Sequence, residues 1–215
     1  TETKGARSVI GCLAGAAVGN KAIAGKLYSA ANVEQSTRGV WLTASEVTFC
    51  RAEGALAGWS NMGGTVKSLY EQAITLSFEQ WGAANVSAYL ADNTSVQANY
   101  EDAANGFGSN QTAVSNITIA WDDSATDEVK LERLITQKWI ALFPDGQEGW
   151  NEIRRTGYPK VFPVAQSTSG YTIKVPNRIP FDSDELINNR ASYEEAVQML
   201  GGADNYATKM WWQKK

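Results

Sequence analysis

From Thr43 onward, apolar residues recur with the period of a helix. Phe49, Ala52, Leu56 and Trp59 lie on one face through TASEVTFCRAEGALAGW, with Thr43 placed as an N-cap. Ser60-Asn61-Met62-Gly63-Gly64 breaks the pattern, and a second stretch begins at Thr65. There Val66, Leu69, Tyr70, Ala73, Ile74, Phe78 and Trp81 keep 3.6-residue spacing until Gly82. Two helices joined by a short Gly-rich turn make an antiparallel hairpin over 43–82. The stretch DEVKLERLITQKWIALF repeats the signal with Leu131, Leu134, Ile135, Trp139, Leu142 and Phe143. Pro144-Asp145-Gly146 stops it, and Gln147 to Thr156 reads as a fourth helix burying Trp150 and Ile153, which completes a second hairpin over 127–156. A last helix is expected from Tyr193 to Leu200, before Gly201-Gly202.

The connections are long. Residues 1–40 are rich in Gly and Ala and are expected to be irregular, with at most a short helix. The polar stretch 83–123 carries apolar punctuation at Val114, Ile117 and Ile119 and reads as an excursion with a small helix near Val86 to Leu90. All five prolines follow Phe143, so 157–184 is expected to be extended, with at best a two-stranded ribbon around Tyr171 to Val175. The fold class is mainly α: tetratricopeptide-like helix hairpins with long irregular connections.

Composition narrows the function. At 215 residues the chain is one domain or one large piece of a bigger one, and 43% hydrophobic against 20% charged residues indicates a folded core. A net charge of −4 without a basic stripe argues against nucleic acid as a partner. No histidine is present, which removes Ser-His-Asp, Cys-His and HExxH chemistry, and neither a metal nor another cofactor is expected. The two cysteines, Cys12 and Cys50, are compatible with a disulfide or with two buried thiols, and the second is the favoured reading. Val9-Ile10-Gly11-Cys12 imitates a lipobox, but Gly11, Gly15 and Gly19 dilute the apolar stretch around it. No run reaches the ~20 apolar residues of a membrane span.

Tyr70-x-x-Ala73-Ile74 and Ala52-Glu53-x-Ala55-Leu56 resemble a degenerate tetratricopeptide repeat, with small residues where neighbouring helices approach. A larger match is more specific. ASEVTFCRAEGALAGWSNMGGTVKSLYEQAITLSFEQWG, LERLITQKWIALFPDGQEGWNEIRRTGYP, NRIPFDSDE and AVQMLGGADNYATKMWW together resemble the C-terminal half of the SusD/RagB family of outer-membrane nutrient-binding lipoproteins. The resemblance covers residues 40–215 well and 1–40 loosely. It implies a non-enzymatic protein of the bacterial cell surface that captures glycans or other nutrients for a SusC-like TonB-dependent transporter. The lipid anchor and the first helix pairs are expected to lie outside this chain, so 1–215 is read as the C-terminal portion of a SusD-like domain. A tetratricopeptide-type protein-interaction scaffold is the alternative.

Sugar binding requires flat apolar faces for the C–H side of a pyranose and amides or carboxylates for its hydroxyls. Trp59, Trp81, Trp139 and Trp150 fall on apolar helix faces and are assigned to the core. Trp41 and Tyr28 lie in the irregular region where the family tends to place ligand contacts. Trp212, adjacent to Trp211 in the tail, and Tyr171 in the proline-rich segment complete the candidate ligand-binding set. The acidic groups Glu101-Asp102, Asp122-Asp123 and Asp182-x-Asp184-Glu185 are read as caps and loop charge rather than a glycosidase pair. Arg154-Arg155 is read as a structural ion-pair partner of Glu152.

Overall fold

The computed structural model describes residues 35–36, 39–101, 110–163 and 175–213. Tyr28, Cys12, Tyr171 and most of the expected ribbon lie outside them. The chain divides into two compact units, one of Val33–Ala98 with Ala113–Val161, the other of Thr1–Asn32, Asn99–Thr112 and Phe162–Lys215.

The first unit holds five helices: α1 (Ala44–Leu56), α2 (Val66–Trp81), α3 (Val86–Leu90), α4 (Asp127–Ala141) and α5 (Gly146–Thr156). Their starts follow from side chains that accept from otherwise unpaired helix N–H groups. Thr43 caps α1 through the Glu46 N–H, Thr65 caps α2 through Ser68, Thr126 caps α4 through Val129, and Asp145 caps α5 through Gln147 and Glu148. The expected hairpins and the small helix after Asn85 are all present. Gly82 and Gly157 end α2 and α5 in the left-handed conformation, which costs glycine nothing.

Small residues let α1 and α2 approach closely. Ala52 and Ala73 are fully buried, and the Ser45 hydroxyl donates to the Ala73 carbonyl at 2.7 Å. Phe49 meets Tyr70 edge-on at 6.3 Å, and Leu134 and Ile135 of α4 share their core with Leu69 and Ile74. Each such side chain contributes about 1.5–3 kcal/mol by leaving water.

The tryptophan assignments need correction. α1 ends at Leu56 and Gly58 turns the chain at φ +79°, so Trp59 falls beyond the helix and is 69% exposed. Trp81, the last residue of α2, is 53% exposed and leans on Phe143, itself 61% exposed, at 6.1 Å between rings. Trp139, in the last turn of α4, is 40% exposed, and Trp150 is half-buried with the Arg154 guanidinium 4.0 Å above its ring. The apolar stripe runs to the helix ends, whereas the facing helices cover its middle. Cys50 departs from its expectation too: it is a free thiol, but exposed.

The second unit contains α6 (Ser183–Asn188) and α7 (Arg190–Leu200). α6 was expected as extended chain, but the Asp182 carboxylate accepts from the Asp184 N–H and starts a helix there. Among the described residues the only β-feature is an isolated antiparallel bridge between Tyr100 and Gln111, beside which Phe162 lies 6.1 Å from the Tyr100 ring.

Candidate ligand-binding site

Val40, Trp41 and Leu42 form an exposed apolar run leading into α1, with Trp41 95% exposed. The run ends at the N-cap, where Thr43 Oγ1 accepts from the Glu46 N–H at 3.0 Å. Burial, with Glu148 and Asp145 nearby, raises the Glu46 carboxyl above its ordinary value against the opposing pull of Lys138 and the Thr43 N–H. The exposed indole thus lies two residues before the capped start of α1.

In the same unit, charged side chains are enclosed. Lys138 on α4 and Glu152 on α5 are both buried and meet at 2.7 Å. Lys138 Nζ also lies 3.4 Å from Cys50 Sγ on α1. Burial alone lowers the Lys138 pKa, but the carboxylate and sulfur outweigh it, and the net shift is upward. Arg155 bridges outward, with Nη2 donating to Glu152 Oε2 at 2.6 Å and to Glu53 Oε2 on α1 at 2.8 Å. The Glu152 partnership expected of the Arg154-Arg155 pair is made by Arg155. These residues come from AEG, TQKW and the EIRRTGYP segment, so the motifs that mark the chain build one ionic link among three helices.

The described stretch 113–121 of the polar excursion is tied down at several residues. Gln97 accepts through its side-chain carbonyl from the N–H groups of Val114 and Ser115 at 2.7 and 3.0 Å. Ser115 donates to the buried Glu132, which also pairs with Lys160 at 2.7 Å. The buried Arg133 donates through Nε to the Thr118 carbonyl at 3.0 Å, Tyr70 donates to the Ile119 carbonyl at 2.6 Å, and the Ala120 N–H reaches the Asp92 carbonyl at 2.8 Å. Trp121 then stands 5.1 Å from the Tyr70 ring, its indole N–H donating to Asp123 at 2.8 Å. Sequence reasoning did not single out Trp121; its place between a polar loop and two aspartates was the available signal. Asp122 accepts from Ser124 N–H and hydroxyl, the turn role expected of it.

In the second unit, Trp211 is 91% exposed whereas Trp212 is half-buried. The tail is fixed by Gln213, which accepts from the Met210 N–H at 2.7 Å and donates to Asn177 at 3.3 Å. Arg178 pairs with Asp204, and Asp204 also accepts from the Phe181 N–H and the Tyr193 hydroxyl. Among the described residues no group of three His, Cys, Asp or Glu side chains could hold a metal ion, and no helix is long and apolar enough to cross a membrane.

Helix hairpins joined by long pinned loops, with tryptophan faces left in the open, define a helical scaffold. A family model described as SusD-like, Susd and RagB outer membrane lipoprotein, matches residues 1–213. The chain belongs to the SusD/RagB family. Among solved structures, it is similar to a chitin-binding SusD homologue from Flavobacterium johnsoniae, with 48% identity, TM-score 0.73, and coverage of 80% of this chain and 36% of that one. A SusD homologue from Bacteroides uniformis gives 45%, TM-score 0.79, and coverage of 87% and 40%. One from Bacteroides thetaiotaomicron gives 39%, TM-score 0.79, and coverage of 88% and 41%. The chain therefore spans well under half the length of these relatives. A comparison with curated proteins finds no match.

Proposed function

We propose that the chain is part of a cell-surface lipoprotein that binds glycans without turning them over and passes them to a SusC-like TonB-dependent transporter. The observation that carries this reading is the 48% identity to a chitin-binding SusD homologue, over 80% of the chain. The near-complete exposure of Trp41, just before the capped start of α1, supports it physically. Trp41 supplies the stacking face; Tyr28, Tyr171 and Trp212 are further proposed contacts. The role of Asp122 and Asp182 in turns and caps supports binding without hydrolysis.

Affinity gel electrophoresis against soluble polysaccharides, including glycol chitin, tests this. Retardation of the chain, lost in Trp41→Ala, is the expected result. Migration unaffected by every polysaccharide, in both this chain and the longer protein that contains it, would refute glycan binding and favour the protein-interaction scaffold. Release of reducing sugar from a bound oligosaccharide would refute the non-enzymatic part.

A further inference from the structure

Cys50 and Lys138 are placed as a pair rather than as two separate side chains. Cys50 sits on the solvent side of α1 with its thiol exposed, whereas Lys138 on α4 is buried, and the two reactive atoms lie 3.4 Å apart. Glu152 Oε1 lies 2.7 Å from the same ammonium and holds it in place. A small oxidant thus reaches the sulfur from water, and a lysine ammonium is held against that sulfur from inside.

We propose that Cys50 and Lys138 form an oxidative modification site, in which a peroxide joins them through one oxygen as Cys50 Sγ–O–Nζ Lys138, stapling α1 to α4. The first hydrogen peroxide oxidises the thiol to a sulfenic acid and leaves as water. A second takes two electrons from the nitrogen: the O–N bond forms, the sulfenic O–H and two ammonium N–H bonds break, and the peroxide leaves as two waters. One proton departs by way of Glu152. Overall, one thiol, one ammonium and two peroxides give the bridge, three waters and a proton. Reduction by four electrons and four protons from excess dithiol restores thiol, amine and one water.

The test treats the full chain, in a Cys12→Ser background, with hydrogen peroxide and reads mass and peptides. The expected product gains about 14 Da, one oxygen in and two hydrogens out, and its digest joins the α1 peptide to the α4 peptide until dithiothreitol separates them. Cys50→Ser gains no such mass. Lys138→Arg, which keeps a cation beside Glu152, stops at the unlinked sulfur oxides of about 16 or 32 Da. The proposal is overturned if the parent chain shows only those unlinked oxides, if its mass does not change, or if Lys138→Arg still gains about 14 Da.

Discussion

Lys138 Nζ and Glu152 Oε1 meet at 2.7 Å with both side chains buried, while the second oxygen of Glu152 is held by Arg155 at 2.6 Å. One carboxylate therefore serves a buried cation and one that stands partly in solvent. Removing either partner of a buried pair leaves a charge without compensation. The consequences differ: Glu152→Gln strands Lys138 inside the unit, whereas Lys138→Met leaves Glu152 still bound to Arg155. Urea unfolding is expected to show a loss of about 3–5 kcal/mol for Glu152→Gln and about 1–3 kcal/mol for Lys138→Met. Equal losses would show that Arg155 does not compensate.

The same ammonium predicts where alkaline unfolding begins. Burial favours releasing its proton, but Glu152 and Cys50 more than offset burial, so the folded chain holds the proton more tightly than the unfolded chain. That stabilisation is complete below the unfolded-state value of about 10.4 and is lost as pH rises through the higher folded-state value. Tyr70 acts in the same direction, because burial raises its hydroxyl far above the ordinary value. Urea midpoints should be flat from neutrality to about pH 9.5 and fall above about pH 10. The fall should be shallower in Lys138→Met with Tyr70→Phe.

Trp41→Ala and Phe49→Ala should separate binding from folding. Trp41 is almost wholly in solvent, so its removal is expected to change stability by less than about 0.5 kcal/mol. Phe49 is fully buried against Tyr70, and its truncation should cost about 3–5 kcal/mol. Thermal unfolding followed by circular dichroism checks both, and a large loss in Trp41→Ala would mean the indole packs rather than binds.

Two glycines in the turn after α1 share a left-handed backbone and differ in their surroundings. Gly58 has φ +79° and open space where a side chain would go. Gly63 has φ +81°, and a methyl group there would strike the Arg51 guanidinium, whose Nε donates to the Met62 carbonyl at 2.7 Å. Gly58→Ala should cost about 1–2 kcal/mol through the backbone alone. Gly63→Ala should cost more, and the excess should vanish in an Arg51→Ala background, measured by urea unfolding.

Helix positions were legible because each signal was local. Thr43, Thr65 and Gly82 mark boundaries by their own backbone preferences, and the Leu and Ile spacing marks the face. The exposure of Trp59, Trp81 and Trp139 was not legible, since periodicity assigns a side but not how far along that side a neighbour reaches. Nor were the buried charges, since the partners of Glu132 and Lys138, namely Lys160 and Glu152, arrive from other segments. Of the proposed ligand contacts, Trp41 stood out through its place before a helix start, whereas the half-burial of Trp212 depends on Gln213 and Asn177 closing the tail.

The run 113–121 has no regular secondary structure, yet Val114, Ser115, Thr118, Ile119 and Ala120 each give a main-chain N–H or carbonyl to a fixed partner elsewhere in its unit. Cleavage by a protease, or exchange of an amide proton for deuterium, requires such groups to come free first. This stretch should accordingly resist chymotrypsin-like enzymes at Trp121 and exchange as slowly as α2 and α4, behaving in solution as a structural element that happens not to repeat.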